Sequence, residues 1–214
     1  MKVTDRDRKL VAEILTRFMF CNDYSSESKL QNVDLSSLTK VFGNYQCDGM
    51  FFSQRSLKSI DLSNLITISG DYACQYMFSG TSNYLGNDTY SMALESIDLS
   101  NLTSISGNYA CYCMFRSNVF LNNVDLSSLE TISGNYTCQS MFSYCKRLTL
   151  ISFPSLTTIT GTNPFGSSGS YCIFYKCDAL EEIHFRSDIR ETIEALPGYD
   201  IKWGATNATI YFDL

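Results

Sequence analysis

The sequence predicts a solenoid of six stacked coils, rich in short strands, and three observations carry that prediction. First, the chain repeats itself. Segments starting at Leu30, Leu57, Leu94, Leu121, Leu148 and Leu180 align, at spacings of 27, 37, 27, 27 and 32 residues. Self-similarity at such a period marks a repeat architecture. Second, apolar residues return at fixed offsets: a Leu, then Ile or Val three on, Leu two later, Leu three later, Ile three later, as in LKSIDLSNLITISGDYACQYMF and LESIDLSNLTSISGNYACYCMF. Third, Gly43, Gly70, Gly107, Gly134 and Gly161 fall at one offset. The class is therefore a leucine-rich-repeat solenoid, α/β but β-rich. The expected form is a right-handed superhelix with a parallel sheet on one side and turns with short helical segments on the other.

Each element follows from this pattern. Residues 1–29 are read as an N-terminal helical cap, because Leu10, Val11, Ile14, Leu15 and Phe18 share one face of a helix over residues 4–20, with Thr4 as its N-cap. Residues 30–183 hold the six coils. In Leu-x-x-Ile-Asp-Leu, alternation turns Ile and the second Leu inward and Asp outward. One three-residue strand buries too little to persist alone, so stacked coils must share a core. The conserved-offset glycines suit positive φ at a turn, and Tyr45, Tyr72, Tyr109 and Tyr136 behind them form an aromatic column. Residues 184–214 are read as a C-terminal cap within the same structural domain. There Ser187 caps a helix from Asp188 to Leu196, Thr209–Phe212 is a strand on the last sheet edge, and Trp203 fills the lid.

Composition excludes several function classes. Sixteen Lys and Arg against 22 Asp and Glu give a net charge of −6, with no basic residue between Lys58 and Arg116. A nucleic acid or anionic membrane needs a basic stripe, so nucleic-acid binding is not expected. No run of about 18 apolar residues exists, so no transmembrane segment is expected. The N-terminal MKVTDRDRKLVAEIL lacks the apolar stretch of a signal peptide. The chain holds one His, His184, and no nucleophile motif, phosphate loop or CxxC pair, so no catalytic residue, metal site or cofactor is expected. Of nine cysteines, Cys47, Cys74, Cys111 and Cys138 share one offset and Cys145 and Cys177 another. Equivalent side chains on stacked coils point the same way, which suits a buried thiol ladder better than disulfides.

Two features are candidate ligand-binding sites. Asp34, Asp61, Asp98 and Asp125 form an outward column, which Ser152 and His184 continue. Carboxylates about 5 Å apart repel by roughly 3 kcal/mol per pair at an effective dielectric of 20. That repulsion must be offset by solvent, raised pKa values, Ser and Asn donors or a cation. The row either contacts a basic partner or cation, or is a solvated face whose carboxylates bond to adjacent Ser. The second feature is the extra segment SGTSNYLGNDTYSMA (79–93), polar and Gly-rich, which carries Tyr84 and Tyr90. Tyr on a polar loop suits protein or glycan contact, while a neutral tolerated insertion is the plain alternative.

The repeat resembles that of BspA-like bacterial leucine-rich-repeat proteins, F-x-x-C-x-x-L-x-x-I-x-L-P-x-L-x-x-I. Phe142, Cys145, Leu148, Ile151, Phe153, Pro154, Leu156 and Ile159 match it, as do Phe174, Cys177, Leu180 and Ile183. The likeness runs from about residue 30 to 185. The early coils depart from it: each carries an added S-G-N-Y-x-C segment and replaces Pro with Ser, which leaves the shape of the return side open. The resemblance implies a non-catalytic binding or adhesion role toward a protein or glycan, at a cell surface or secreted. A purely structural spacer or appendage component is the alternative. Without a leader, a complete chain is expected in the cytoplasm.

Overall fold

The computed structural model describes residues 18, 20, 21, 29–80 and 92–214. Each coil begins with a short strand at its Ile-Asp or Val-Asp step. These strands are β1 (Asn32–Asp34), β3 (Ser59–Asp61), β5 (Ser96–Asp98), β7 (Asn123–Asp125), β9 (Leu150–Phe153) and β11 (Glu182–Phe185), and β12 (Thr209–Phe212) adds a last strand. They stack as one column in the parallel ladders β1–β3, β5–β7 and β9–β11–β12, with β3 lying beside β5 and β7 beside β9. The register is repeat-perfect: Val33 faces Ile60, Ile97 faces Val124 and Ile151 faces Ile183. Ile60, Ile97 and Val124 are all buried, and the Asp between each pair of inward residues points out.

The single sheet expected from the sequence is in fact two strand columns. A second strand follows in each of the first five coils: β2 (Lys40–Phe42), β4 (Thr67–Ser69), β6 (Ser104–Ser106), β8 (Thr131–Ser133) and β10 (Thr158–Thr160). These five form one continuous parallel sheet in the order β10-β8-β6-β4-β2. Each has a buried centre between two outward residues, the period-two pattern of a half-buried strand. Thr-Ile-Ser has a single inward residue and so lacks the Ile-Asp-Leu alternation that marks the first column, and it is pairing with the next coil that makes it a strand.

The third side is a wall of turns rather than helical segments. Its amides alternate in direction. Tyr45, Cys47, Gly49 and Phe51 donate to the next coil at Asp71, Ala73, Gln75 and Met77, while Asp48, Met50 and Phe52 close three-residue turns on Tyr45, Cys47 and Gly49. Most of its amides are thus bonded without helix or strand, in keeping with the needs of a buried backbone. The wall holds Tyr45, Tyr72, Tyr109 and Tyr136 at φ 55–58°, unusual for a non-Gly residue. Among the described residues the regular helices are brief: three-residue 3₁₀ turns at Gly169–Tyr171, Ser187–Ile189 and Lys202–Gly204, and α1 (Arg190–Glu194).

One correction concerns the C-terminal end of the chain. The helix expected over 188–196 shrinks to α1 behind a 3₁₀ turn, and Ser187 makes no capping bond. Ser187 is already inside the turn, where its N–H donates to the Leu214 carbonyl. At the other end, most of the helix read over 4–20 lies outside the described residues. Phe18, however, has φ 54°, and Phe18 and Phe20 donate their N–H groups to Asp48 and Met50 as a preceding coil does. Phe20, itself exposed, stacks on Phe51 at the head of a buried column that continues through Phe78, Phe115, Phe142 and Phe174, with centroids 5.2–6.3 Å apart.

Candidate functional site

The outer row of the first column carries Asp34, Asp61, Asp98 and Asp125, with Asp34 facing Asp61 and Asp98 facing Asp125 across the ladders. Every one of these carboxylates turns to the Ser two residues on. Oδ1 accepts the backbone N–H of Ser36, Ser63, Ser100 and Ser127 at 2.9–3.0 Å. The Ser36 and Ser63 hydroxyls add bonds of 2.6 Å to Asp34 and Asp61. This local turn explains why the strand ends there: the side chain captures the next donor in place of the ladder. It also sets the charge. The Ser100 hydroxyl and N–H hold the Asp98 carboxyl below its ordinary range despite some burial. Donors inside each coil, rather than protonation, thus offset the repulsion at Asp98.

Further along the row the chemistry changes. His184 pairs in register with Ser152 on one side and Tyr211 on the other. Its Nδ1 lies 2.9 Å from Asp213 Oδ1 and its Nε2 3.1 Å from Glu182 Oε2, and its ring stacks on Tyr211 at 4.7 Å. Burial works against the charged ring, yet hydrogen bonds to Asp213 and Glu182 prevail and raise its pKa. Both ring nitrogens are occupied by carboxylates, so the neighbouring Ser152 has no imidazole base available to it. The sequence gives no hint of Asp213 as a partner, because 29 residues separate it from His184.

The second column presents a different surface. Thr67, Ser104, Thr131 and Thr158 form one outward row, and Ser69, Ser106, Ser133 and Thr160 the next. Adjacent rungs are linked, Ser106 Oγ to Ser69 Oγ at 3.1 Å and Ser104 Oγ to Thr67 Oγ1 at 3.4 Å. Past the glycines runs a ladder in which Asn44, Asp71, Asn108 and Asn135 each accept, through Oδ1, the backbone N–H of the next coil at 2.7–3.0 Å. The four tyrosines beside it stack at 4.8–5.0 Å.

The cysteine ladder Cys47, Cys74, Cys111 and Cys138 is buried and free. Cys145 and Cys177 donate to the Phe115 and Phe142 carbonyls of the preceding coil. In the third coil Asn118 takes that role, donating to Phe78, and in the first Gln54 donates to Phe20. The motif's cysteine is therefore a small donor sealing the join between coils. Tyr84 and Tyr90 lie outside the described residues. Among the described residues no group of three or more His, Cys, Asp or Glu is arranged to hold a metal ion, and no helix is long and apolar enough to cross a membrane.

No protein-family model matches the chain, and no curated relative does. Among solved structures it is similar to a leucine-rich repeat protein from Bacteroides ovatus ATCC 8483, at 15% identity and a TM-score of 0.23. That likeness covers 73% of this chain and 55% of the other, so the chain spans little more than half of that protein's length. The leucine offsets and the parallel register, rather than this likeness, decide the class. The chain is a leucine-rich-repeat solenoid. In it Asp34, Asp61, Asp98 and Asp125 hold equivalent positions on successive coils.

Proposed function

We propose that this solenoid is a non-catalytic binding or adhesion module for a protein or glycan partner, with the row Asp34, Asp61, Asp98 and Asp125 as the surface that meets a basic partner. One observation carries the reading: each carboxylate is held in the same orientation by the Ser two residues on, so the row is a fixed line of negative groups at coil spacing. Pre-ordered charge costs little further entropy on binding. Tyr84 and Tyr90 of the inserted segment are the second contact element in this reading, and the resemblance to BspA-like proteins is in keeping with it. A structural spacer is the second reading, favoured by the same Asp–Ser bonds, since they also explain the row without any ligand.

Calorimetric titration of a Lys- and Arg-rich peptide, and separately of calcium, into the native chain and an Asp61→Asn/Asp98→Asn variant tests this. Saturable peptide binding that weakens in the variant and with added salt is expected. Binding that is absent from both proteins, or equal in both, leaves the spacer.

A further inference from the structure

We propose that the second strand column binds a linear, uncharged polysaccharide laid along the solenoid axis. This goes beyond the acidic row, sits on a different side of each coil, and does not depend on it.

The two hydroxyl rows of β4, β6, β8 and β10 contain no charged side chain; the lone charge on this sheet, Lys40, lies in the edge strand β2. Their central Ile68, Ile105, Ile132 and Ile159 are buried, so alternation turns every flanking hydroxyl outward. Rungs repeat about every 4.8 Å and the two rows lie about 6.7 Å apart, so five strands span about 19 Å. A hydroxyl donates once and accepts twice, and the cross-rung bonds leave most of that capacity for a ligand. The adjoining ladder adds three donors and one carboxylate: Asn44, Asn108 and Asn135 spend Oδ1 on the backbone of the next coil, which leaves their amide NH₂ groups, and Asp71 between them is an acceptor. Phe42, in register with Ser69 at the end of one hydroxyl row, is 81% exposed, an extreme value for a strand residue of this size.

These features select the ligand's chemistry. Anionic polymers need cations, which the rows lack. A protein partner needs apolar anchors set in pockets near the centre of the patch, and here the exposed ring stands at one end. An uncharged sugar chain meets the remaining requirements. Its hydroxyls donate and accept like those of Ser and Thr, its C–H face packs on an aromatic ring such as Phe42, and an extended pyranose chain advances per residue by a distance comparable to the coil spacing. Each contact is weak, and repetition over several coils supplies the avidity.

Affinity electrophoresis through gels containing a soluble β-glucan, a xylan or a galactomannan, with polygalacturonate as the anionic comparator, tests this. Retardation by at least one neutral polymer is expected. The apparent affinity should fall about tenfold in Ser106→Glu and measurably in Phe42→Ala, and stay unchanged in Glu191→Gln, an exposed position on α1 outside both strand columns. Phe42→Ala removes a solvent-exposed ring, so its folding is not at stake. The proposal is overturned if no neutral polymer retards the native chain. It is equally overturned if the Phe42 and Ser106 variants migrate as the native chain does, or if retardation tracks Glu191→Gln instead.

Discussion

At Gly107 a single methyl group would meet backbone. A Cβ there would lie 2.4 Å from the Gly70 carbonyl oxygen, and φ is +114°. Gly107→Ala should therefore cost more than about 3 kcal/mol in a urea melt, as strain at a special φ adds to a clash with the coil below. Gly169 is the internal control: its φ is +51° and its Cβ would meet nothing within 4 Å. Gly169→Ala should cost only about 1–2 kcal/mol, the ordinary penalty of left-handed backbone. Equal losses at the two sites would refute close packing of the coils at the glycine column. His184 gives the pH dependence. Its folded pKa lies above the ordinary value near 6.5 because Asp213 and Glu182 outweigh its burial. Its contribution to stability is thus complete below that value and is lost as pH rises through the folded pKa. An NMR titration of the His184 ring should show the raised midpoint, and Asp213→Asn should lower it; an unmoved midpoint in the variant would break the link.

At the level of elements, no strand among the described residues exceeds four residues, and none would persist alone. Columns do the stabilising, each by its own chemistry: phenylalanine rings, asparagine carbonyls and thiols, all at coil spacing. The thiol columns are the easiest to interrogate. Burial pushes Cys138 and Cys177 up to about 12 and Cys172 to about 11, which makes them poor nucleophiles at neutral pH. Eight of the cysteines are buried and Cys21 is exposed, all free. A chromogenic thiol assay at pH 8 should give one fast group in the native protein and nine in denaturant without reductant. A denatured count below nine would reveal disulfides that the ladder does not contain.

For the whole molecule, each coil touches only its neighbours, so stability is a sum of coil terms and interfaces. The hydrophobic cluster nevertheless runs unbroken from Leu35 to Ala208. With so few coils and one core, calorimetry should show a single transition whose calorimetric and van't Hoff enthalpies agree. Two resolved transitions would mean that the stack parts at an internal joint. The inserted segment after Gly80 marks where such a joint would be sought, since there the period stretches from 27 to 37 residues.

The coil count, the inward Ile and Leu, the outward Asp row and the glycine turns were all legible in the amino-acid order. All of these are periodic, and periodicity survives in one dimension. The Asp–Ser bonds were nearly as legible, being contacts between residues two apart. Tertiary structure alone decided the second sheet, the turn wall with its left-handed tyrosines, the place of Phe20 in the phenylalanine column and the pairing of His184 with Asp213. The reason is that each depends on a hydrogen bond or ring contact to another coil, whose register no single repeat encodes. A three-residue Thr-Ile-Ser becomes a strand only when its copy one coil away supplies the other half of the ladder.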